Sequence, residues 1–155
     1  MTDLYGVAVY KSQQSGPGAI VEDTALEVEG VDMGVEVRFL EHTLDNYVGH
    51  KAVFQVALGQ NDGKNVKVFY GETSGTIVKN KFPDAYGFDG NFIPDGETET
   101  LYELDKKGEK MRVSPRRKAV VELLNNNHVL IADASPVEWS GRWQNEEVDE
   151  PEFKI

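Results

Sequence analysis

At 155 residues, with aliphatic and aromatic side chains at 39%, the chain is long enough for one domain with its own core and too apolar for bulk disorder. Sixteen basic against 27 acidic residues give a formal charge of −11, which disfavours nucleic-acid backbones and anionic membranes as partners. The lack of cysteine excludes thiol catalysis, disulfides and cysteine-ligated metals, and no apolar run approaches the roughly 18 residues of a membrane span.

No signal peptide opens the chain, so a cytoplasmic setting is expected. Residues 2–13 alternate loosely, with Leu4, Val7, Val9 and Tyr10 apolar, compatible with a short helix or a strand. Ser15-Gly16-Pro17-Gly18 breaks the chain. Ala19–Val21 and Ala25–Val28 then predict strand segments on either side of Glu22-Asp23-Thr24. A helix is expected after Gly34, over Val35–Tyr47, from its spaced apolar residues. Lys51–Gly59 predicts a strand, Asn61-Asp62-Gly63-Lys64-Asn65 a hairpin turn, and Val66–Tyr70 the returning strand. Glu72–Lys79 continues that strand or forms another.

Asp84–Gly96, punctuated by Gly and Pro, predicts a functional loop anchored by Phe92 and Ile93. Ser114 suits a helix N-cap and Pro115 the first helical position, so a helix is expected over Arg116–Leu124, ended by Asn125-Asn126-Asn127. Val129-Leu130-Ile131 centres a short strand over His128–Ala134. The expected organisation is a single domain over 1–134 with a C-terminal extension over 135–155, which holds Trp139 and Trp143 and is expected to be partly mobile.

Three segments offer chemistry. Glu22 and Asp23 present adjacent carboxylates suited to a divalent metal, but neighbours in a strand point to opposite faces, so both reach one ion only if the strand ends between them. In Tyr86-Gly87-Phe88-Asp89, the glycine permits close backbone approach, an aromatic ring offers a stacking surface for a base, and the acid can accept from a base edge or cap a turn. Around Ser114, the first amides of the helix favour an anion, and Arg116 can give paired hydrogen bonds. Seven of the sixteen basic residues fall between Lys106 and Lys118. Each segment also has a plain reading: a solvated strand end, a packed loop, and an ordinary basic helix entry. The histidines at 42, 50 and 128 lack metal-ligand spacing.

Taken in order, these segments resemble the inosine triphosphate pyrophosphatase family, which removes non-standard purine nucleoside triphosphates such as ITP, dITP and XTP. The likeness covers about residues 16–124. Val21-Glu22-Asp23-Thr24-x-Leu26 is similar to the family's acid motif, and Phe69-x-Gly71-x-Thr73-Ser74-Gly75-Thr76-Ile77-Val78 to the strand before its substrate loop. Tyr86-Gly87-Phe88-Asp89-x-x-Phe92-Ile93-Pro94-Asp95-Gly96 followed by Thr100-Leu101-Tyr102-Glu103-Leu104 resembles the family's Phe-Gly-Trp/Tyr-Asp-Pro-x-Phe-x-Pro-x-Gly…Thr-Tyr/Phe-Ala-Glu-Met. Glu109-Lys110-x-x-Val113-Ser114-Pro115-Arg116 resembles its Glu-Lys-Asn-x-x-Ser-His-Arg.

The resemblance implies an α/β (α+β) fold: an elongated mixed β-sheet with flanking helices, in two lobes around a cleft, and a homodimer. It implies a purine nucleotide as partner, Mg²⁺ as cofactor, and hydrolysis to monophosphate and pyrophosphate. It implies Asp23 as catalytic carboxylate and metal ligand with Glu22, and Thr24 beside the phosphates. Tyr86, Gly87, Phe88 and Asp89 would hold base and sugar, while Lys110, Ser114 and Arg116 would hold substrate. Arg38 stands near a basic position of the family, given a small gap.

Three departures stand out. Nothing in Met1–Gly18 matches the family's opening strand and Thr-Gly-Asn-x-x-Lys phosphate loop, so a fold truncated at that end is expected. Pro115 replaces a histidine, and Gly90 a proline. A catalytically inactive nucleotide-sensing or protein-interaction module of the same fold therefore stays open beside the enzyme.

Overall fold

The computed structural model describes residues 4–30 and 43–135. A five-stranded sheet runs in the order β1 (Ile20–Val28), β2 (Lys51–Asn61), β3 (Asn65–Ile77), with the free side of β3 shared by β4 (Phe92–Pro94) at one end and β5 (Leu130–Asp133) at the other. All these neighbours are antiparallel, so the parallel pairs of a mixed sheet are not among the described residues. Among the described residues three helices flank it: α1 (Leu4–Ser15), α2 (Leu101–Lys106) and α3 (Pro115–Leu124).

The acid pair does not interrupt β1. All nine of its residues pair with β2, from Ile20 opposite Gln60 to Val28 opposite Ala52. Backbone pairing to the neighbouring strand holds the polar Glu22-Asp23-Thr24 in register, where two separate segments were expected. Of the two options for 72–79, a further strand or a continuation of 66–70, the continuation holds: one strand of 13 residues runs over Asn65–Ile77. The turn at 61–65 forms as expected. Asp62 Oδ1 accepts from the amides of Lys64 (2.9 Å) and Asn65 (2.7 Å), and Gly63 takes a φ of 91° that other residues rarely adopt. Of the helix expected over 35–47, only the end lies within the described residues, where Leu44–Tyr47 makes a single 3₁₀ turn.

The two faces of the sheet carry different elements. On the first, α1 lays Leu4 and Ala8 over Ala25, Ala57 and Val68. The helix comes close because Gly59 lies beneath it: a Cβ there would stand 2.8 Å from the Ala8 carbonyl oxygen. On the second, Ala119 and Leu123 of α3 cover Val56, Leu58 and Phe69. Beyond α3 on this face, Leu26, Val28, Ala52 and Ile77 pack with Phe88, Phe92 and Leu101. The expected strand near residue 130 does form, beside β3, with Lys67 opposite Ile131. The expected extension over 135–155, with both tryptophans, lies outside the described residues apart from Ser135.

Candidate functional site

Because β1 is continuous, Glu22 and Asp23 part company. Asp23 points to the α1 face and is 4% exposed. Lys11 of α1 donates to its Oδ1 at 3.3 Å, while Oδ2 is buried without a hydrogen-bond partner. Burial drives the Asp23 pKa above its ordinary value, and the Lys11 ammonium only partly opposes this. Glu22 points to the α3 face. There Arg116 donates to it twice, Nε to Oε2 at 2.6 Å and Nη2 to Oε1 at 2.7 Å. Thr24, two residues on, shares that face and is half-buried. The two acids thus do not converge on one ion, contrary to the sequence expectation of a shared metal, for the simple reason that the strand does not end between them. Among the described residues, no group of three or more His, Asp and Glu side chains is arranged to hold a metal.

The start of α3 and the loop over 78–91 meet on Glu22's side. Ser114 is the N-cap, as expected, and its hydroxyl accepts from the Arg117 amide at 3.2 Å, so that oxygen is committed to the helix itself. Pro115 follows at the first helical position. The entry is tied to β3: Thr73 donates to the Val113 carbonyl, and Lys118 Nζ donates to the Glu72 carbonyl (2.8 Å) and Thr73 Oγ1 (3.0 Å). α3 lies so near β3 at Gly71 that a Cβ there would meet the Pro115 carbonyl oxygen at 2.2 Å.

From the loop, Asp89 accepts from Lys110 Nζ at 2.6 Å, a half-buried pair. Asp89 and Tyr86 are both close enough to act on the Arg116 charge, and the Glu22 carboxylate is the largest influence holding the Arg116 pKa above its ordinary value. Two ion pairs, Glu22–Arg116 and Asp89–Lys110, thus stand within each other's electrostatic reach, with Tyr86 three residues before Asp89. Gly87, at φ 56°, turns the chain between Tyr86 and Phe88. That turn sends the two rings opposite ways. Tyr86 is 89% exposed, whereas Phe88 is buried, edge-on to Phe54 with ring centroids 4.6 Å apart. A free Phe88 stacking surface was expected; core packing takes that ring, and Tyr86 is the one left open. Arg38 lies outside the described residues.

The device that holds this loop forms no motif in the sequence. Phe82 stacks on Tyr102 of α2 at 4.4 Å, the Tyr102 hydroxyl donates to the Asp84 carboxylate at 2.8 Å, and Lys106 Nζ lies 5.2 Å from the same ring centroid. One signal was available: Tyr102 stands where the family motif has alanine. Lys11, the cover of Asp23, gave no local signal.

Comparison with known proteins places the chain in a family. The Ham1 family matches residues 2–126, and the chain belongs to that family. It is 31% identical over 144 residues to an inosine triphosphate pyrophosphatase of Kluyveromyces lactis, covering 78% of this chain and 72% of that one. A dITP/XTP pyrophosphatase of Saccharolobus solfataricus is 33% identical over 112 residues, covering 64% and 58%. An inosine triphosphate pyrophosphatase of Scheffersomyces stipitis is 38% identical over 73 residues, 47% of this chain and 37% of the relative, so against such relatives the chain spans little more than a third of their length. A crystal structure of a nucleoside-triphosphatase described as a dITP/XTP pyrophosphatase, from Mycobacterium abscessus, shares the fold: TM-score 0.53 at 23% identity over 80% of this chain and 77% of that one.

Proposed function

We propose that this chain carries the nucleotide-binding part of a hydrolase that cleaves non-standard purine nucleoside triphosphates, of the kind its relatives' names describe. The observation that carries the reading is the gathering of Tyr86, Asp89, Lys110 and Arg116 beside Glu22 on one face of the sheet. An exposed ring next to two cations and two carboxylates suits a ligand with an aromatic base and an anionic tail. Tyr86 offers its face to the purine, a contact worth about 1–3 kcal/mol per base. Phe88 supports the loop from beneath, and Gly87 supplies the turn. Asp89 accepts from base N–H groups or aims Lys110. Lys110 and Arg116 meet oxygen acceptors, the first amides of α3 above the Ser114 cap favour negative charge, and Thr24 lies beside the phosphates. Arg38 remains a proposed substrate contact.

In the proposed reaction water breaks the α–β phosphoanhydride bond, giving a nucleoside monophosphate and pyrophosphate. Asp23 is the proposed general base. Burial raises its pKa above the ordinary aspartate value, the direction that favours proton uptake, and β1 has no strand on its outer side among the described residues. The described side chains do not form a protein cage for Mg²⁺: Glu22 is engaged by Arg116, and Asp23 faces Lys11. Magnesium is therefore proposed as the partner of the triphosphate, which commonly supplies most of its non-water ligands, with at most one carboxylate from the protein.

A cytoplasmic homodimer that binds no nucleic acid completes the reading. It is supported by the family resemblance, the net charge of −11, and the exposed apolar side chains of Val120, Val121 and Leu124 on α3 and Val129–Ile131 near β5.

Pyrophosphate release from a panel of standard and non-standard triphosphates with Mg²⁺ tests the proposal. Release from ITP or XTP, lost in Asp23→Asn, is the expected result. A second reading, a nucleotide-binding module without turnover, is favoured by the sealed Oδ2 of Asp23. It predicts thermal stabilisation by the same nucleotides with no release.

A further inference from the structure

We propose that Glu22 is an internal occupant of the arginine that grips the ligand: its carboxylate fills the Arg116 fork in the free protein and leaves when an anionic ligand enters. The proposal rests on the reading of this face as the nucleotide site. Both bonds to Glu22 come from the Nε–Nη2 edge of the guanidinium, at 2.6 and 2.7 Å. That edge is a planar two-donor fork, and it can serve one carboxylate, one phosphate or one pair of purine acceptors at a time. Glu22 therefore stands where the ligand's own acceptor would bind.

The pair is open to exchange. The Arg116 side chain is 57% exposed and that of Glu22 32%, and ion pairs this exposed are weak. Glu22 sits in a fully paired stretch of β1, opposite Leu58, so its release needs only a rotamer change. The charges point the same way. Glu22 and Asp89 balance Arg116 and Lys110, so the resting cluster is neutral in a protein of net charge −11. A weakly charged anion gains little by entering. A triphosphate, which brings several charges and two-oxygen acceptors, displaces the carboxylate. Glu22 is thus a specificity residue that sets a threshold for entry, and removing its charge lowers that threshold.

Calorimetric titration of ITP without divalent cations tests this in four proteins: the wild type, Glu22→Gln, Arg116→Ala, and the double variant. Glu22→Gln is expected to bind ITP about fivefold more tightly than the wild type, the change an exposed ion pair of good geometry is worth. In the Arg116→Ala background the same change is expected to give no gain, because the fork that Glu22 blocks is gone. Glu22→Ala serves as a second variant, and unchanged melting temperatures separate an effect on the fork from one on folding. Equal affinities in the wild type and both Glu22 variants, or a gain that persists without Arg116, would overturn the inference and leave the nucleotide reading standing. Absence of ITP binding in all four proteins would overturn both.

Discussion

Glu22 and Asp23 are adjacent in sequence and lie on opposite faces of β1, the first held by Arg116 and the second by Lys11. Their environments differ accordingly. Burial raises the Asp23 pKa, so the folded state holds this proton more tightly than the unfolded chain. Its contribution to stability is complete below the ordinary aspartate value of 3.8 and is lost as pH rises through the folded value. The difference in unfolding free energy between the wild type and Asp23→Asn is therefore expected to move in favour of the variant as pH rises above the ordinary aspartate value of 3.8. Urea denaturation of both proteins across that range measures it. A constant difference would mean that Asp23 titrates as it does in the unfolded chain.

Gly71 sets how closely α3 approaches β3. Gly71→Ala puts a methyl against the Pro115 carbonyl oxygen and the Ala119 amide. Both are backbone atoms, so the helix must shift, and overpacking of this kind costs about 2–3 kcal/mol. Since Ser114 and Arg116 ride on the same helix, ITP binding is expected to weaken together with the fall in melting temperature. A variant of wild-type stability and affinity would show that α3 is not fixed at this point.

The Phe82–Tyr102 stack and the Tyr102–Asp84 hydrogen bond hold the loop that carries Tyr86. Tyr102→Phe keeps the ring and loses an exposed bond, so only a small effect on stability and KM is expected. Tyr102→Ala loses the stack as well, and is expected to raise KM for ITP more than tenfold while leaving kcat within about twofold. Equal KM values in the two variants would show that the ring does not position the loop.

Ser114 caps α3 through the Arg117 amide and is buried. Ser114→Ala is expected to destabilise the protein by about 1 kcal/mol, and Ser114→Asp, which restores an acceptor, to recover most of the loss. Thermal melts of the three proteins check the order.

Legibility along the sequence follows how local the deciding physics is. Asn61-Asp62-Gly63 makes its turn with its own side chains, and Ser114-Pro115 starts its helix from within, so both were readable. The continuity of β1 depends on β2, more than twenty residues away, and it decides where both acids point. α1 was ambiguous because its buried stripe, Leu4, Ala8 and Ser12, is small at two of three places and polar at one, fitted to Gly59 beneath it. In the loop, Tyr86 and Phe88 are equivalent as letters, and the distant core residues around Phe88, among them Phe54, Leu26 and Phe92, decide which ring is buried. The segments of the site were visible one by one; the Glu22–Arg116 pairing, across 94 residues, was not.

Hydrogen–deuterium exchange with and without saturating ITP tests most directly whether this face is the nucleotide site. Slower exchange concentrated in residues 85–90 and 110–118, around Tyr86, Lys110 and Arg116, is the predicted result. Binding of ITP that protects α1 instead, or leaves both segments unchanged, would contradict the assignment.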